Sequence, residues 1–334
     1  MALVSVLIPA YNAQQTIGET LEAAQQQTYG DLEILVVDDG STDETPDIVS
    51  QFSDQDPRVI LIRQSNSGVA AARNTALARS KGSLIAPLDA DDLWHPTKIE
   101  RQVANLLKAP NDVGLDYCWF VDIDADSKIT RCYVSRLEGD IYQPLIVGNF
   151  IGNSSVPLIR RTLLEQIGGW NPGLRAANAQ GCEDWLLYLQ IAERARAVLS
   201  PAFLVGYRQL PQTMSRNVRQ MTRSYELTMN YARASHPNVP EDLFAKSRRD
   251  FDLYISGIQD ATRTSKIQEV LAATRRDLGI RSKRGGFSSD LARGLLRTVL
   301  KVYHLGTNVS VSIHGCHFGT IEPNTRCPIC DPLE

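Results

Sequence analysis

No run of 18 consecutive apolar residues occurs in the 334-residue sequence, and a helix needs about that length to cross a bilayer. A membrane-spanning helix is therefore not expected. The apolar start Leu3-Val4-Ser5-Val6-Leu7-Ile8 lacks a basic leader and a small-residue cleavage site. It reads as a first strand rather than a signal peptide, and a cytoplasmic location is the expectation. Internal repeats and low-complexity tracts are missing too. With 43% hydrophobic and 22% charged residues, the composition is that of a folded globular chain, not a disordered one.

The formal net charge of −3 conceals an asymmetry. Residues 1–206 carry 16 Lys and Arg against 26 Asp and Glu, residues 207–301 carry 18 against 9, and residues 302–334 carry 1 against 3. The basic segment suits an anionic lipid surface, a phosphorylated acceptor or nucleic acid, and equally the solvated face of helices.

Apolar runs at Ser5–Pro9, Glu33–Val37, Val59–Ile62 and Leu84–Leu88 alternate with helical patterns at Thr16–Gln27, Thr45–Phe52, Val69–Ser80 and Pro96–Leu107. The alternation predicts an α/β fold, a mainly parallel sheet built from right-handed crossovers and flanked by helices. Such sheets bind ligands beyond the C-terminal ends of their strands. Three polar motifs fall there: Pro9-Ala10-Tyr11-Asn12, Asp38 to Asp43, and Asp89-Ala90-Asp91-Asp92. Further strands are expected at Tyr117–Asp122, Ile129–Val134 and Val156–Ile159, with helices at Arg161–Ile167 and Glu183–Ala195. Beyond about residue 215 the pattern is helical almost throughout.

The run 89–92 is the best metal-site candidate. Three carboxylates at the mouth of a buried strand repel one another and lose hydration, a cost that a hard cation offsets. The bland alternative is an acidic turn capping the next helix.

Taken together, Val4 to Asn12, Val36 to Asp43, Gly68-Val69-Ala70-Ala71-Ala72-Arg73-Asn74 and Asp89 to Asp92 resemble the family 2 glycosyltransferases, whose fold is called GT-A. The similarity continues less tightly through Gly168-Gly169-Trp170 and Glu183-Asp184-Trp185 to Tyr207-Arg208. The resemblance implies a donor site for a nucleotide-diphospho sugar, with uridine the base expected. It places Tyr11 on the base, with Pro9 and Asn12 beside it, and Asp39 as an acceptor at the base edge. Arg73 meets the diphosphate. Asp89 and Ala90 contact the ribose or a metal-bound water, Asp91 ligates Mg²⁺ or Mn²⁺ with Asp89, and Asp92 helps hold the site. Asp184 is the implied base and Glu183 its neighbour orienting the acceptor.

Each position also has a structural reading: a strand-end aromatic for Tyr11, turn chemistry for Asp38, Asp39 and Asp43, an exposed helix cation for Arg73, and dipole complementarity for Glu183 and Asp184. Leu186 and Leu187 stand where a further acidic residue follows the Trp in the commoner family version. The reaction expected is a metal-dependent, inverting transfer of sugar to a glycan, lipid-linked or small-molecule acceptor in polysaccharide or glycoconjugate synthesis, without nucleic acid. The alternatives are a catalytically silent sugar-nucleotide scaffold or sensor and a nucleotidyltransferase. The latter would carry a Gly-rich basic loop where Tyr11-Asn12-Ala13-Gln14-Gln15 stands.

The expected organisation is a catalytic domain at 1–212, split into nucleotide-sugar binding at 1–110 and an acceptor side at 111–212. A helical extension at 213–305 and a Cys/His tail at 306–334 follow. Of the six cysteines, Cys118, Cys132 and Cys182 are scattered and expected to be thiols. His314, Cys316, Cys327 and Cys330 have the spacing of a structural Zn²⁺ site, with His317 the alternative ligand and a pair of inert thiols the alternative reading. The stretch Leu291–Tyr303 presents an apolar stripe and a basic one, which fits peripheral membrane attachment or packing on the catalytic domain.

Overall fold

The computed structural model describes residues 2–210, 214–277 and Phe318. The ligand set of the Cys/His tail and the stretch Leu291–Tyr303 lie outside the described residues.

The first half is a run of strand and helix in alternation. Strands β1 (Val4–Ala10), β2 (Leu32–Asp38), β3 (Val59–Arg63) and β4 (Leu84–Pro87) alternate with helices α1 (Ile17–Gln25), α2 (Thr45–Gln55) and α3 (Val69–Arg79). β1 pairs in parallel with β2 and β4, and β2 with β3. Every residue of β1 and β2 is buried, as expected of strands covered on both faces, which read as near-continuous apolar runs.

The short β5 (Leu93–Trp94) leads into α4 (Lys98–Lys108), which buries Ile99, Gln102, Val103 and Leu106 along one face. Pairing then changes. Strand β6 (Val113–Ile123), β7 (Ile129–Tyr133), helix α5 (Tyr142–Val147), β8 (Leu158–Arg160), α6 (Arg161–Ile167), α7 (Gly173–Ala176), α8 (Glu183–Ala192) and β9 (Arg196–Arg208) complete the sheet. Its order is β3-β2-β1-β4-β8-β6-β9-β5, with β7 on β6. β8 joins the halves by antiparallel pairing to β4 and β6, whereas β6 and β9 run parallel.

Strand β9 and helix α5 were not expected from the sequence. The physical reason for β9 is Pro201, which cannot donate to a ladder. The register with β6 jumps between the pairs Cys118–Ser200 and Trp119–Phe203, where Pro201 sits, so the strand is bulged and its alternation broken.

The C-terminal part is helical, as expected. Helix α9 (Val218–Ser235) and α10 (Glu241–Asp277) follow. Met221, Tyr225 and Met229 of α9 and Phe244 and Phe251 of α10 join the main core, with Tyr225 stacked on Phe251 at 4.0 Å and set against Trp185 at 5.7 Å. Cys118, Cys132 and Cys182 are buried and form no disulfide among the described residues. No helix among the described residues is long and apolar enough to cross a membrane.

Candidate active site

The three rim motifs converge as the sheet predicts, because β1, β2 and β4 are neighbours pointing the same way. Tyr11, just past β1, is 52% exposed, so its ring is available to a ligand. Asn12 beside it adopts φ +50° and is held from both sides. Its N–H donates to Ser41 Oγ at 2.9 Å, and its Oδ1 accepts from Thr42 N–H at 2.8 Å. Asp43 accepts the N–H groups of Gln14 and Thr45, the turn and cap chemistry foreseen for it.

Asp39 is buried and closes the next loop. Its carboxylate accepts from Gln64 Nε2 at 2.7 Å, Ser67 N–H at 2.8 Å and Gly68 N–H at 2.7 Å. Gly68 opens α3 with φ +91°, a backbone region that favours glycine. A Cβ there would also lie 2.6 Å from the Arg175 side chain, which reaches Asn66 Oδ1 at 2.6 Å. Helix α7 is thereby tied to the loop that Asp39 holds.

Arg73 and Asn74 act as a pair. Arg73 is buried, its Nη2 donates to Asp89 Oδ1, and its guanidinium lies 5.9 Å from the Trp170 ring centre. Asn74 holds the Trp170 backbone by donating to its carbonyl O at 2.7 Å and accepting from its backbone N–H at 2.9 Å. Gly169 precedes it at φ +78°, where a side chain would strike Asn74. Arg73 is therefore a buried cation paired with Asp89, not the exposed helix cation of the alternative reading. Its Nε and Trp170 Nε1 are buried donors without a partner, unmet hydrogen-bonding capacity beside the rim.

The four residues 89–92 divide their work. Ala90 O accepts from Thr16 Oγ1 at 2.9 Å. Asp92 is fully buried, accepting from Ser155 Oγ at 2.5 Å and from Arg208 N–H at 2.9 Å. Burial first, then Asp91 and Asp89, push its carboxyl well above the usual range. Ser155 Oγ also accepts Asp89 N–H at 3.0 Å. Arg208, 1% exposed, is the hub beneath: it donates to Asp91 O at 2.8 Å, Ala125 O at 3.0 Å and Glu19 Oε2 at 2.6 Å.

Asp91 alone has a half-buried carboxylate with no side-chain partner among the described residues. Burial and the neighbouring Asp89 push it up to about 7. That is the signature of a carboxylate short of positive charge, and it fits a hard divalent cation. The fit is partial by itself, since no group of three His, Cys, Asp or Glu among the described residues could hold an ion. Such cations commonly take one or two carboxylates and complete their shell with substrate phosphates and water.

The second acidic pair opens α8. Glu183 is buried and accepts Gly181 N–H at 2.8 Å, and burial pushes it upward. Asp184 is half-buried, takes only the Trp185 N–H at 2.7 Å, and is pushed up to about 7 by burial and by Glu183. The charges of both Arg73 and Asp89 act on it, so the pair 183–184 and the pair 73–89 form one electrostatic cluster. Trp170, Asn74, Ser155, Arg208 and Glu19 were not foreseen as parts of this assembly, although Asn74, Trp170 and Arg208 lay in the similar stretches. The run Asn153-Ser154-Ser155 before β8 carried the one local signal, small hydrogen-bonding side chains where a core strand begins.

A mostly parallel sheet with an aromatic, an acidic turn and a buried Arg at its carboxyl rim has its polar groups where open α/β sheets bind ligands. Residues 5–168 match the family described as glycosyl transferase family 2, the family that the motifs resemble. It is 48% identical over 104 residues to the UDP-Glc:alpha-D-GlcNAc-diphosphoundecaprenol beta-1,3-glucosyltransferase WfaP of Escherichia coli, covering 31% of this chain and 41% of that protein. It is 41% identical over 107 residues to the putative teichuronic acid biosynthesis glycosyltransferase TuaG of Bacillus subtilis, covering 32% and 42%. The chain thus spans well under half the length of these relatives in the matched region.

Among solved structures, S. aureus TarS 1–349 in complex with UDP-GlcNAc superposes with a TM-score of 0.57 at 17% identity, over 77% of this chain and 71% of that one. The mannosyltransferase PcManGT from Pyrobaculum calidifontis, in complex with GDP-Man and Mn2+, gives 0.51 at 22% identity over 91% and 81%. The shared fold is the GT-A architecture expected from the motifs.

Proposed function

We propose that this protein is a metal-dependent, inverting glycosyltransferase that moves a sugar from a UDP-linked donor to a hydroxyl of a lipid-linked acceptor in polysaccharide or glycoconjugate synthesis. The observation that carries it is the cluster around Arg73, in which the donor-side Asp89 and the acceptor-side Glu183 and Asp184 act on one buried cation. Donor-handling and proton-accepting groups then share one small volume, as a single displacement requires.

Tyr11 supplies a stacking face for the base, and the loop held by Asp39 shapes the pocket at the base edge. Asp91, with the free oxygen of Asp89, would hold Mg²⁺ or Mn²⁺. A bound cation supplies Lewis-acid stabilisation of the charge that develops on the leaving diphosphate. Arg73 orients Asp89 and adds a positive field from beneath. Asp184 takes the acceptor hydroxyl's proton as its oxygen attacks the anomeric carbon, and Glu183 raises the proton affinity that this role needs. A carboxylate raised to about 7 suits a base working at neutral pH, since a substantial fraction is free of its proton and that form binds the next one firmly.

Two lines support a phosphorylated, lipid-linked acceptor. WfaP is named for a diphosphoundecaprenol acceptor. In addition, Arg216, Arg219 and Arg223 are exposed where α9 begins, beside the loop that carries the base: Gln220 Nε2 donates to Asn178 Oδ1 at 2.7 Å and Cys182 N–H to Ser224 Oγ at 3.0 Å. A basic ridge there suits a diphosphate and the anionic membrane surface around it. The test is a screen of nucleotide sugars for divalent-cation-dependent release of nucleoside diphosphate, with and without polyprenyl-diphosphate-linked sugar. Acceptor-stimulated release of UDP is expected. Tight binding of UDP-sugars with no release under any acceptor would overturn the reading in favour of a silent sensor.

A further inference from the structure

Phe318 is far in sequence from everything it touches. Its side chain is 2% exposed and sits in a small apolar cluster, separate from the main core, formed by Val121 and Ile123 of β6, Ile129 and Cys132 of β7, and Phe203 of β9. Gly206 makes room for the ring: a Cβ at that position would lie 3.2 Å from Phe318 Cγ. The backbone is engaged as well, Phe318 N–H donating to Ser127 O at 3.1 Å. Ser127 is the tip of the β6–β7 turn and adopts φ +61°, a left-handed conformation that a non-glycine residue keeps only with support from its surroundings.

That turn is the outer end of a line of contacts leading to the rim. Ser127 Oγ donates to Glu19 Oε2 at 3.4 Å, and the same oxygen receives Arg208 Nη2 at 2.6 Å. Arg208 Nη1 donates to Ala125 O at 3.0 Å within the turn. Its other arm fixes the acidic motif, with Nε on Asp91 O at 2.8 Å and its backbone N–H on Asp92 Oδ1 at 2.9 Å. Because Arg208 is almost wholly buried, it cannot follow a displaced turn by swinging through solvent. A shift at Ser127 must be absorbed at Glu19, Arg208 or the backbone of Asp91.

We propose that Phe318 is a positioning residue: seated between β6, β7 and β9, it braces the 124–127 turn and, through Glu19 and Arg208, fixes the backbone that carries Asp91. The C-terminal region thereby has a place in the donor site's geometry without touching substrate. The consequence for catalysis rests on the role proposed above for Asp91, whereas the mechanical coupling does not.

The experiment uses the full chain with Phe318→Ala and Phe318→Leu, followed by hydrogen–deuterium exchange of peptides covering residues 86–94 and 120–130, with UDP binding measured calorimetrically in Mn²⁺. Phe318→Ala is expected to speed exchange in both segments and to weaken Mn²⁺-dependent UDP binding by about 2- to 30-fold, the span typical of coupling through packed networks. Phe318→Leu, which keeps apolar volume, should return both readouts most of the way to wild type. Should Phe318→Ala fold poorly, Glu19→Gln interrupts the same line at a half-exposed carboxylate without touching the apolar cluster. It should also speed exchange at 86–94, and Phe318→Leu/Glu19→Gln should be less than additive. Faster exchange confined to 120–130, or unchanged exchange in both segments, overturns the brace. Coupled exchange in a protein that binds no UDP in Mn²⁺ supports the brace and overturns the role of Asp91 instead.

Discussion

Two groups of carboxylates line the same rim and are treated in opposite ways by the fold. Asp39 accepts three hydrogen bonds, two of them from backbone N–H groups, and Asp92 accepts two inside the core. Among the described residues, Asp91 takes none from another side chain, and Asp184 takes only the N–H of the next residue. The first group has its charge or lone pairs spent on holding loops together. In the second, burial and a neighbouring carboxylate outweigh the few favourable contacts, and both members are pushed up to about 7. An uncompensated buried carboxylate costs stability, so its persistence at a rim is the mark of a group kept for a ligand or a proton. Donor count, rather than acidity of the motif, is the criterion that divides the aspartates by their proposed roles.

Removing the base tests the second group hardest. Asp184→Asn is expected to slow the chemical step by roughly 10²–10⁴-fold, the usual contribution of a positioned general base, while donor binding by calorimetry stays within a few-fold. The wild-type pH profile should carry its signature. The base works deprotonated, and its pKa is raised to about 7, so the active form fills as pH rises through that value. Turnover should climb with pH there and fall about tenfold per unit on the acid side. In Asp184→Asn that limb should vanish; a limb that persists would move the base elsewhere. Asp91→Asn should lower turnover by about 10²-fold, the scale of one lost electrostatic stabiliser. The deficit should shrink as Mn²⁺ is raised if the side chain acts through a cation, and the melting temperature should stay close to wild type because no core volume is removed.

Arg208 lies on the structural side of the comparison. Arg208→Ala strands the carbonyls of Asp91 and Ala125 and leaves Glu19 only the long contact from Ser127 Oγ. A loss of about 2–4 kcal/mol is expected from buried groups left unsatisfied and from the volume removed, readable as a lowered denaturant midpoint. A midpoint unchanged from wild type would mean that the acidic turn holds itself.

The chain announces the first group of motifs because a local rule places them. Strand ends in a parallel sheet point to one rim, so Tyr11, Asp39 and Asp91 could be put together from periodicity and order alone. Asp184 was legible through its motif at a helix start. What stayed hidden is whatever depends on partners remote in sequence. Asn74 meets Trp170 across 96 positions, Ser155 meets Asp92 across 63, and Arg208 meets Glu19 across 189. No spacing rule reaches that far. Strand β9 was hidden for a different reason, since Pro201 and its register jump erase the alternation that would have revealed the element carrying Arg208.

The smallest predicted effect sharpens the comparison most. Asp92→Asn alters the residue next to Asp91 by one atom, in a motif whose sequence alone gives the three carboxylates equal standing. Burial holds the Asp92 carboxyl toward its neutral form, so an amide of the same shape introduces little new desolvation. The Asn carbonyl can still accept Arg208 N–H. Its amide meets Ser155 Oγ, a hydroxyl able to turn from donor to acceptor. Stability should stay within about 1 kcal/mol of wild type, the scale of one exchanged hydrogen bond, and Mn²⁺-dependent turnover within a few-fold. If Asp92→Asn instead abolished turnover as Asp91→Asn is expected to do, the buried carboxylate would have to be counted with the chemical pair. Donor count would then fail as the criterion that separates the two groups.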